Sequence, residues 1–314
     1  MFALISPFSR SFDDIWFTYK TPKHLEKILK IGMVVSIPFG KNEVYWVVLD
    51  TIEQSDFDET KIKEITTLYS EDIFLNTSQI ALLRWISAYY FCLIHQSLWL
   101  FFPKNLIEKI EKNTFTFSSS NPLSYTFQSH VELSIPQKAI YKTILSTQKN
   151  KFLLYWVTGS GKTEIYIHLI KYYLEIWKQS LLLVPEIILT NQIFERITKV
   201  FWKEVLILNS TVSAAKKTKY WQSIHQNQAK IIIWTRSALF YPYNNLGIII
   251  IDEEHDQSYI SDNAPRYDSI EVAEKIVEWT DVKLLLWSGT PKIHHLYRWL
   301  KWEFEVLHLF QEYK

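Results

Sequence analysis

The chain has 314 residues and a net charge of +1, with 48% of its residues apolar and 21% charged. This excludes a disordered tail and leaves room for about two domains at roughly 150 residues each. No window reaches the ~18 uninterrupted apolar residues of a membrane helix, and the N-terminus MFALISPFSR lacks the flank and cleavage site of a signal peptide. The single cysteine, Cys92, excludes an internal disulfide. A cytoplasmic chain with no membrane partner is expected. The odd count is six glycines beside 13 tryptophans, which puts Gly at about 2% where roughly 7% is usual.

In chain order, apolar runs at 33–38 and 44–49 around the charged turn FGKNE predict a hairpin. Residues 80–93, with Leu82, Leu83, Ile86, Tyr89, Tyr90 and Leu93 at helical spacing, predict an amphipathic helix. The stretch 113–130, rich in Ser, Thr and Asn, predicts a connection between domains. Beyond Ser134 the runs 152–155, 180–184, 205–208, 231–233, 247–252 and 282–286 alternate with helical patterns. Strands apolar on both faces between helices predict a parallel sheet covered on both sides, hence an α/β domain. The residues up to Asn105 are slightly acidic in balance, so nucleic-acid contacts are expected from local patches such as Lys216, Lys217 and Lys219.

The first of these strands runs into TGSGKT at 158–163 and then a helical pattern. A glycine-rich turn between strand and helix aims backbone N–H groups and the helix dipole at a phosphate. Gly159, Ser160, Gly161, Lys162 and Thr163 are therefore candidates to bind ATP, with Lys162 on the β- and γ-phosphates and the Thr163 hydroxyl on Mg²⁺. The buried run 247–252 ends in DEEH. Asp252 is placed to hold Mg²⁺, and Glu253 to orient and deprotonate the attacking water. An acidic helix cap is the alternative for DEEH alone, but a phosphate loop followed by such a strand is a specific pair. TRSALF puts Arg236 and Ser237 at the same sheet edge for a phosphate of a nucleic-acid strand, or Arg236 in a salt bridge. In SGTP, Ser288 and Thr290 sense the nucleotide or cap a helix. Tyr259 and Arg266, in the loop after DEEH, have the chemistry to stack on a single strand, and Gln137 to read the adenine edge.

PFGKNE, RWISAYY, VTGSGKTEIY, LLLVPEIILT, TRSALF, IIIDEEHDQSY, PRYDS and SGTP, spread from 38 to 291, together resemble the PriA family of primosomal replication-restart helicases, in superfamily 2. The resemblance implies a RecA-like parallel sheet with helices on both faces, preceded by a small mostly-β domain. It implies ATP hydrolysis with Mg²⁺, 3′-to-5′ movement on forked or single-stranded DNA, and primosome and single-strand-binding proteins as partners. By the same likeness residues 1–105 form a domain that binds DNA 3′ ends, with Phe39 and Lys41 near the end. Tyr259 and Arg266 then link DNA binding to hydrolysis, and His255, Ser288 and Thr290 couple the motifs. Residues 106–133 become a linker too short for the family's winged helix, and 134–314 the first RecA-like lobe. The second lobe, with its arginine finger and zinc module, is expected beyond this sequence. The competing readings are a non-catalytic DNA-end-binding relative and another superfamily 2 ATPase.

Trp46, Trp156, Trp177, Trp202, Trp234, Trp287 and Trp302 stand where the family pattern has glycine. Trp156, Trp234 and Trp287 end strand runs, and Trp177 and Trp202 follow helical patterns where glycine commonly closes a helix. Trp85 and Trp221 read as genuine tryptophans. Glycines and tryptophans together occupy 19 positions, about 6% of the chain and close to the usual glycine share. The expectation is a gene that uses UGA for glycine, translated here as tryptophan.

Overall fold

In a computed structural model of the chain, the structure describes residues 1–8, 16–117, 132–156, 161–185, 192–201, 205–207, 212–301 and 303–309. Successive residues turn to opposite faces along the strands of the first sheet. Its strands are β1 (Phe2–Ser6), β2 (Phe17–Lys20), β3 (Met33–Phe39), β4 (Asn42–Ile52) and β5 (Thr67–Ile73), antiparallel in the order β2-β1-β4-β3-β5. The expected hairpin is β3–β4, closed at the Phe39↔Asn42 pair with Gly40 at φ +62°. Ala3, Ile5, Val35, Ile37, Trp46 and Val48 fill one face, while Val34, Val47 and Leu49 turn to the other. Gly32, at φ +84°, has no room for a side chain, because a Cβ there would stand 1.7 Å from the Leu75 carbonyl oxygen.

Three short helices follow: α1 (Thr77–Tyr89), α2 (Ile94–Phe101) and α3 (Lys104–Glu111). The helix expected over 80–93 begins at Thr77 and stops at Tyr89, short of Leu93. Phe91 turns left-handed at φ +49°, the Ser87 hydroxyl donates to the Cys92 carbonyl at 2.6 Å, and Leu93 becomes the residue before α2. The expected linker also begins inside structure, since Leu106 and Ile110 of α3, and Phe115 beyond it, are buried.

The second sheet is parallel, in the order β12-β6-β11-β10-β7-β9-β8. Its strands are β6 (Lys151–Trp156), β7 (Gln179–Leu183), β8 (Val205–Ile207), β9 (Ile231–Trp234), β10 (Leu246–Ile251), β11 (Lys283–Ser288) and β12 (Glu305–Leu309). Helices α4 (Ile135–Ser146), α5 (Lys162–Glu175), α6 (Gln192–Phe201), α7 (Ala214–His225), α8 (Ser269–Glu278) and α9 (Ile293–Leu300) accompany it. Two clusters cover it: one joins Leu154, Ile167, Ile250 and Leu285, and the other joins Leu153, Ile249 and Leu286 to Val47, Phe74 and Leu83 of the N-terminal part. The α/β architecture read from the strand runs is the one observed.

The tryptophans divide. Trp177 sits at φ +61°, just past α5, with its N–H on the Leu174 carbonyl and the Lys178 N–H on the Tyr173 carbonyl. This is the left-handed helix closure that glycine normally occupies. Trp46, Trp234 and Trp287 are instead 3%, 4% and 0% exposed and fill the core without a left-handed backbone. Trp202 and Trp302 lie outside the described residues.

Candidate nucleotide and nucleic-acid sites

Because the second sheet is parallel, β6, β11 and β10 release their chains at one edge. Gly159 and Ser160 lie outside the described residues. Gly161, at φ +75°, starts α5, so Lys162 and Thr163 occupy its first turn, at the positive end of the helix dipole. Asp252 follows β10 and continues its ladder through its N–H to the Leu183 carbonyl. Glu253 then takes φ +49°, a region that a non-glycine residue holds only at about 1–2 kcal/mol.

That turn brings both carboxylates to one ammonium. Lys162 Nζ stands 2.9 Å from Asp252 Oδ1 and 2.8 Å from Glu253 Oε1. Tyr166, one turn along α5, donates to the same Asp252 Oδ1 at 2.9 Å. Burial first, and then the neighbouring Asp252 charge, push the Tyr166 hydroxyl well above its ordinary range, so it remains a donor. Asp252 Oδ2 is buried and has no hydrogen-bond partner among the described residues. A buried, unpartnered carboxylate oxygen costs free energy unless a cation or water takes it. Mg²⁺ typically uses one or two carboxylates together with substrate phosphates, so the donor set fits magnesium nucleotide.

The neighbouring strand ends are tied to this pair. His255 Nδ1 lies 2.9 Å from Ser288 Oγ, which accepts the Thr290 N–H at 3.1 Å; Thr290 itself is exposed. Glu254, fully buried, accepts the Lys292 N–H at 3.0 Å and lies 2.8 Å from His295 Nδ1, joining DEEH to the start of α9. Gln137 is buried too. Its amide accepts the Ser134 N–H at 2.9 Å and donates to the Gly161 carbonyl at 3.2 Å. The side chain expected to read adenine therefore braces the phosphate loop.

Two expected DNA contacts have internal partners instead. Tyr259 is 1% exposed, and its hydroxyl lies 2.6 Å from the Asp252 carbonyl oxygen and 3.2 Å from that of Leu183. A ring so enclosed does not stack on a base. Arg236 donates to the Ser258 and Ile260 carbonyls at 2.6 and 2.9 Å, so one guanidinium nitrogen holds the Tyr259 loop and a phosphate would have only the remaining donors. Ser237 and Arg266 are exposed. Phe39, 42% exposed, rests on Phe17 and Trp46, with ring centroids 5.4 and 4.7 Å away, and lines a cavity of about 630 Å³ with Phe57, Lys61 and Lys63. Lys41 is exposed on the adjoining turn.

Sequence reasoning missed Tyr166, Glu254 and His295. Tyr166 carried a usable signal, its i+4 spacing from Lys162. The Glu254–His295 pair forms only when α9 packs and had none.

Residues 11–103 match the PriA 3′DNA-binding domain (3′BD), and residues 134–298 match the DEAD/DEAH box helicase family. Replication restart protein PriA of Rickettsia conorii is 34% identical over 296 residues, covering 94% of this chain and 44% of that protein. The protein of the same name from Bacillus subtilis is 38% identical over 193 residues, covering 62% and 24% respectively. Among solved structures, the UvsW helicase from bacteriophage T4 aligns over 59% of this chain and 62% of that one, at 20% identity and a TM-score of 0.43. The chain spans less than half the length of these curated relatives. The likeness to PriA read from the motifs holds along the sequence, and the helicase match alone takes in just over half of the residues. The chain belongs to the DEAD/DEAH box helicase family and carries a PriA 3′DNA-binding domain ahead of its helicase domain.

Proposed function

We propose that this chain is the DNA-binding and ATP-binding part of a replication-restart helicase that couples ATP hydrolysis to 3′-to-5′ movement on forked or single-stranded DNA. The observation that carries this reading is the Lys162–Asp252–Glu253 cluster with Asp252 Oδ2 left unpartnered. In this reading Lys162 leaves the carboxylates for the β- and γ-phosphates, while Gly159, Ser160 and Gly161 supply backbone N–H groups. Thr163 and Asp252 hold magnesium, which when bound neutralises phosphate charge. Glu253, freed of Lys162, orients the attacking water and takes its proton. Gln137 keeps Gly161 in place. His255, Ser288 and Thr290 carry the nucleotide state from β10 to β11.

Residues 1–105 take the DNA 3′ end in the cavity beside Phe39, where Lys61 and Lys63 face the terminal phosphates and Lys41 stands close by. Residues 134–314 form the first RecA-like lobe, with Ser237, Arg266 and the free donors of Arg236 toward the strand. In this reading a second lobe, with an arginine finger and a zinc module, completes the motor. Other primosome proteins and single-strand-binding proteins are the partners, in the cytoplasm. ATP hydrolysis by the full-length protein, with glycine at 156, should rise when forked DNA is added. That rise should vanish in Lys162→Ala and Glu253→Gln; stimulation that survives Lys162→Ala overturns the site.

A further inference from the structure

The three lysines of α7 have no task in the nucleotide site. Helix α7 carries Lys216, Lys217 and Lys219 and no acidic residue, and Ser213 caps its start. Its inner face is fixed: Thr218, Trp221 and Ile224 are buried, and Trp221 Nε1 donates to the Phe101 carbonyl at 2.8 Å. The outer stripe therefore runs Lys216, Lys219, Gln222 and Ser223, then Gln226, at helical spacing. Helix α3 lies alongside, joined through the Thr218 hydroxyl to Asn105 Oδ1 at 3.2 Å.

Between the two helices is a cleft of about 450 Å³, with Lys109, Thr114 and Thr116 on one wall and Lys219, Gln222 and Ser223 on the other. Among the described residues no carboxylate lines it; the acidic groups of α3, Glu108 and Glu111, are not among its walls. Among the described residues Lys109, Lys112, Lys216, Lys217 and Lys219 make no ion pair, although Lys104 stands 4.0 Å from Glu108. The one ring in its wall, Phe115, is buried.

We propose that this α3–α7 cleft binds the phosphodiester backbone of a DNA duplex arm. This rests on the DNA-binding reading above and adds a second contact to it. Cations, hydroxyls and amides without an exposed stacking ring suit phosphates rather than bases. From Lys216 to Gln226 the stripe extends ~15 Å at 1.5 Å per residue, the axial rise of about four base pairs at 3.4 Å each. The whole chain carries only +1, so these unpaired lysines mark a local preference for a polyanion. Helix α7 leads into β9 at the far side of the sheet from β6, so the cleft is separate from the phosphate loop.

The test is fluorescence anisotropy of the 314-residue chain with two probes, a blunt duplex of ~20 base pairs and a 3′-ended single strand, across a salt series. The triple variant Lys109→Glu, Lys216→Glu, Lys219→Glu should lose at least about tenfold in duplex affinity and flatten the log–log salt slope by about 2–3. The milder Lys→Gln set should move in the same direction, and end binding by the single strand should stay. Unchanged duplex affinity and slope in both sets overturns the cleft. A wild-type chain that binds the 3′-ended strand but no duplex also overturns the cleft and leaves the DNA reading intact, whereas binding of neither probe overturns both. Lysine-dependent binding of poly-glutamate without duplex binding would reassign the cleft to an acidic protein and overturn the proposal.

Discussion

Asp252 is held by Lys162 and Tyr166 on one oxygen, and the other oxygen is buried without a partner. The Tyr166 hydroxyl thus sets the direction of the carboxylate rather than touching a ligand. Groups that orient a metal ligand are typically worth ten- to a hundredfold in metal affinity, so Tyr166→Phe should weaken binding of magnesium nucleotide by about tenfold. Calorimetric titration measures this, and unchanged thermal stability would separate it from unfolding. Trp177 makes the complementary case for backbone. A β-carbon at φ +61° is strained by about 1 kcal/mol, so Trp177→Gly should stabilise the chain by about that amount in urea denaturation. Trp287 is fully enclosed with its ring edge-on to Tyr166, 5.0 Å between centroids. Its replacement by glycine should cost about 3–5 kcal/mol if the core is built around tryptophan, and should stabilise the chain if it is built around glycine. Codons 177 and 287 read from the gene decide between the two.

Among the elements, β3, β4 and β6 to β11 were legible as apolar runs, as in Ile248–Ile251, enclosed on both faces, whereas β1, β2, β5 and β12 drew no expectation. The break between α1 and α2 was not legible, because Leu93 and Ile94 prolong the apolar spacing of α1 and only the left-handed Phe91 interrupts it. The meeting of Lys162 with Asp252 follows from two motifs at one sheet edge, but the inward turn of Tyr259 does not. Its hydroxyl is drawn in by backbone carbonyls that no local pattern announces.

Helix α7 has a pH response of its own. His225 stacks on Trp221 at 5.2 Å, and its Nε2 lies 2.6 Å from the Ile73 carbonyl oxygen. Its Nδ1 is buried without a partner among the described residues. Burial holds the imidazole below its ordinary value, while the Ile73 carbonyl and Asp72 oppose this. Because the unfolded chain takes up the proton first, the stabilisation is complete above about pH 6.5 and declines as pH falls through the depressed folded value. Thermal midpoints should drop from pH 7 to pH 5, and His225→Gln should flatten the drop.

The molecule as a whole joins its two sheets through one aromatic core. Trp221 of the helicase part lies fully buried among Phe74, Phe102, Phe115 and Phe117, with centroid distances of 6.0, 5.8, 6.5 and 6.3 Å. Sequence composition drew a boundary near 106–133, yet α3 and Phe115 belong to this shared core, which only long-range packing reveals. Trp221→Ala should therefore cost about 3–5 kcal/mol. Near- and far-ultraviolet circular dichroism should report one common transition in urea rather than two.

The nucleotide site is tested most directly by a titration of magnesium ATP into this chain with glycine at position 156, beside the same chain carrying Lys162→Ala. Saturable binding that requires magnesium and is lost with Lys162 is the predicted result. Binding of equal strength by both chains, or none by either, would contradict it.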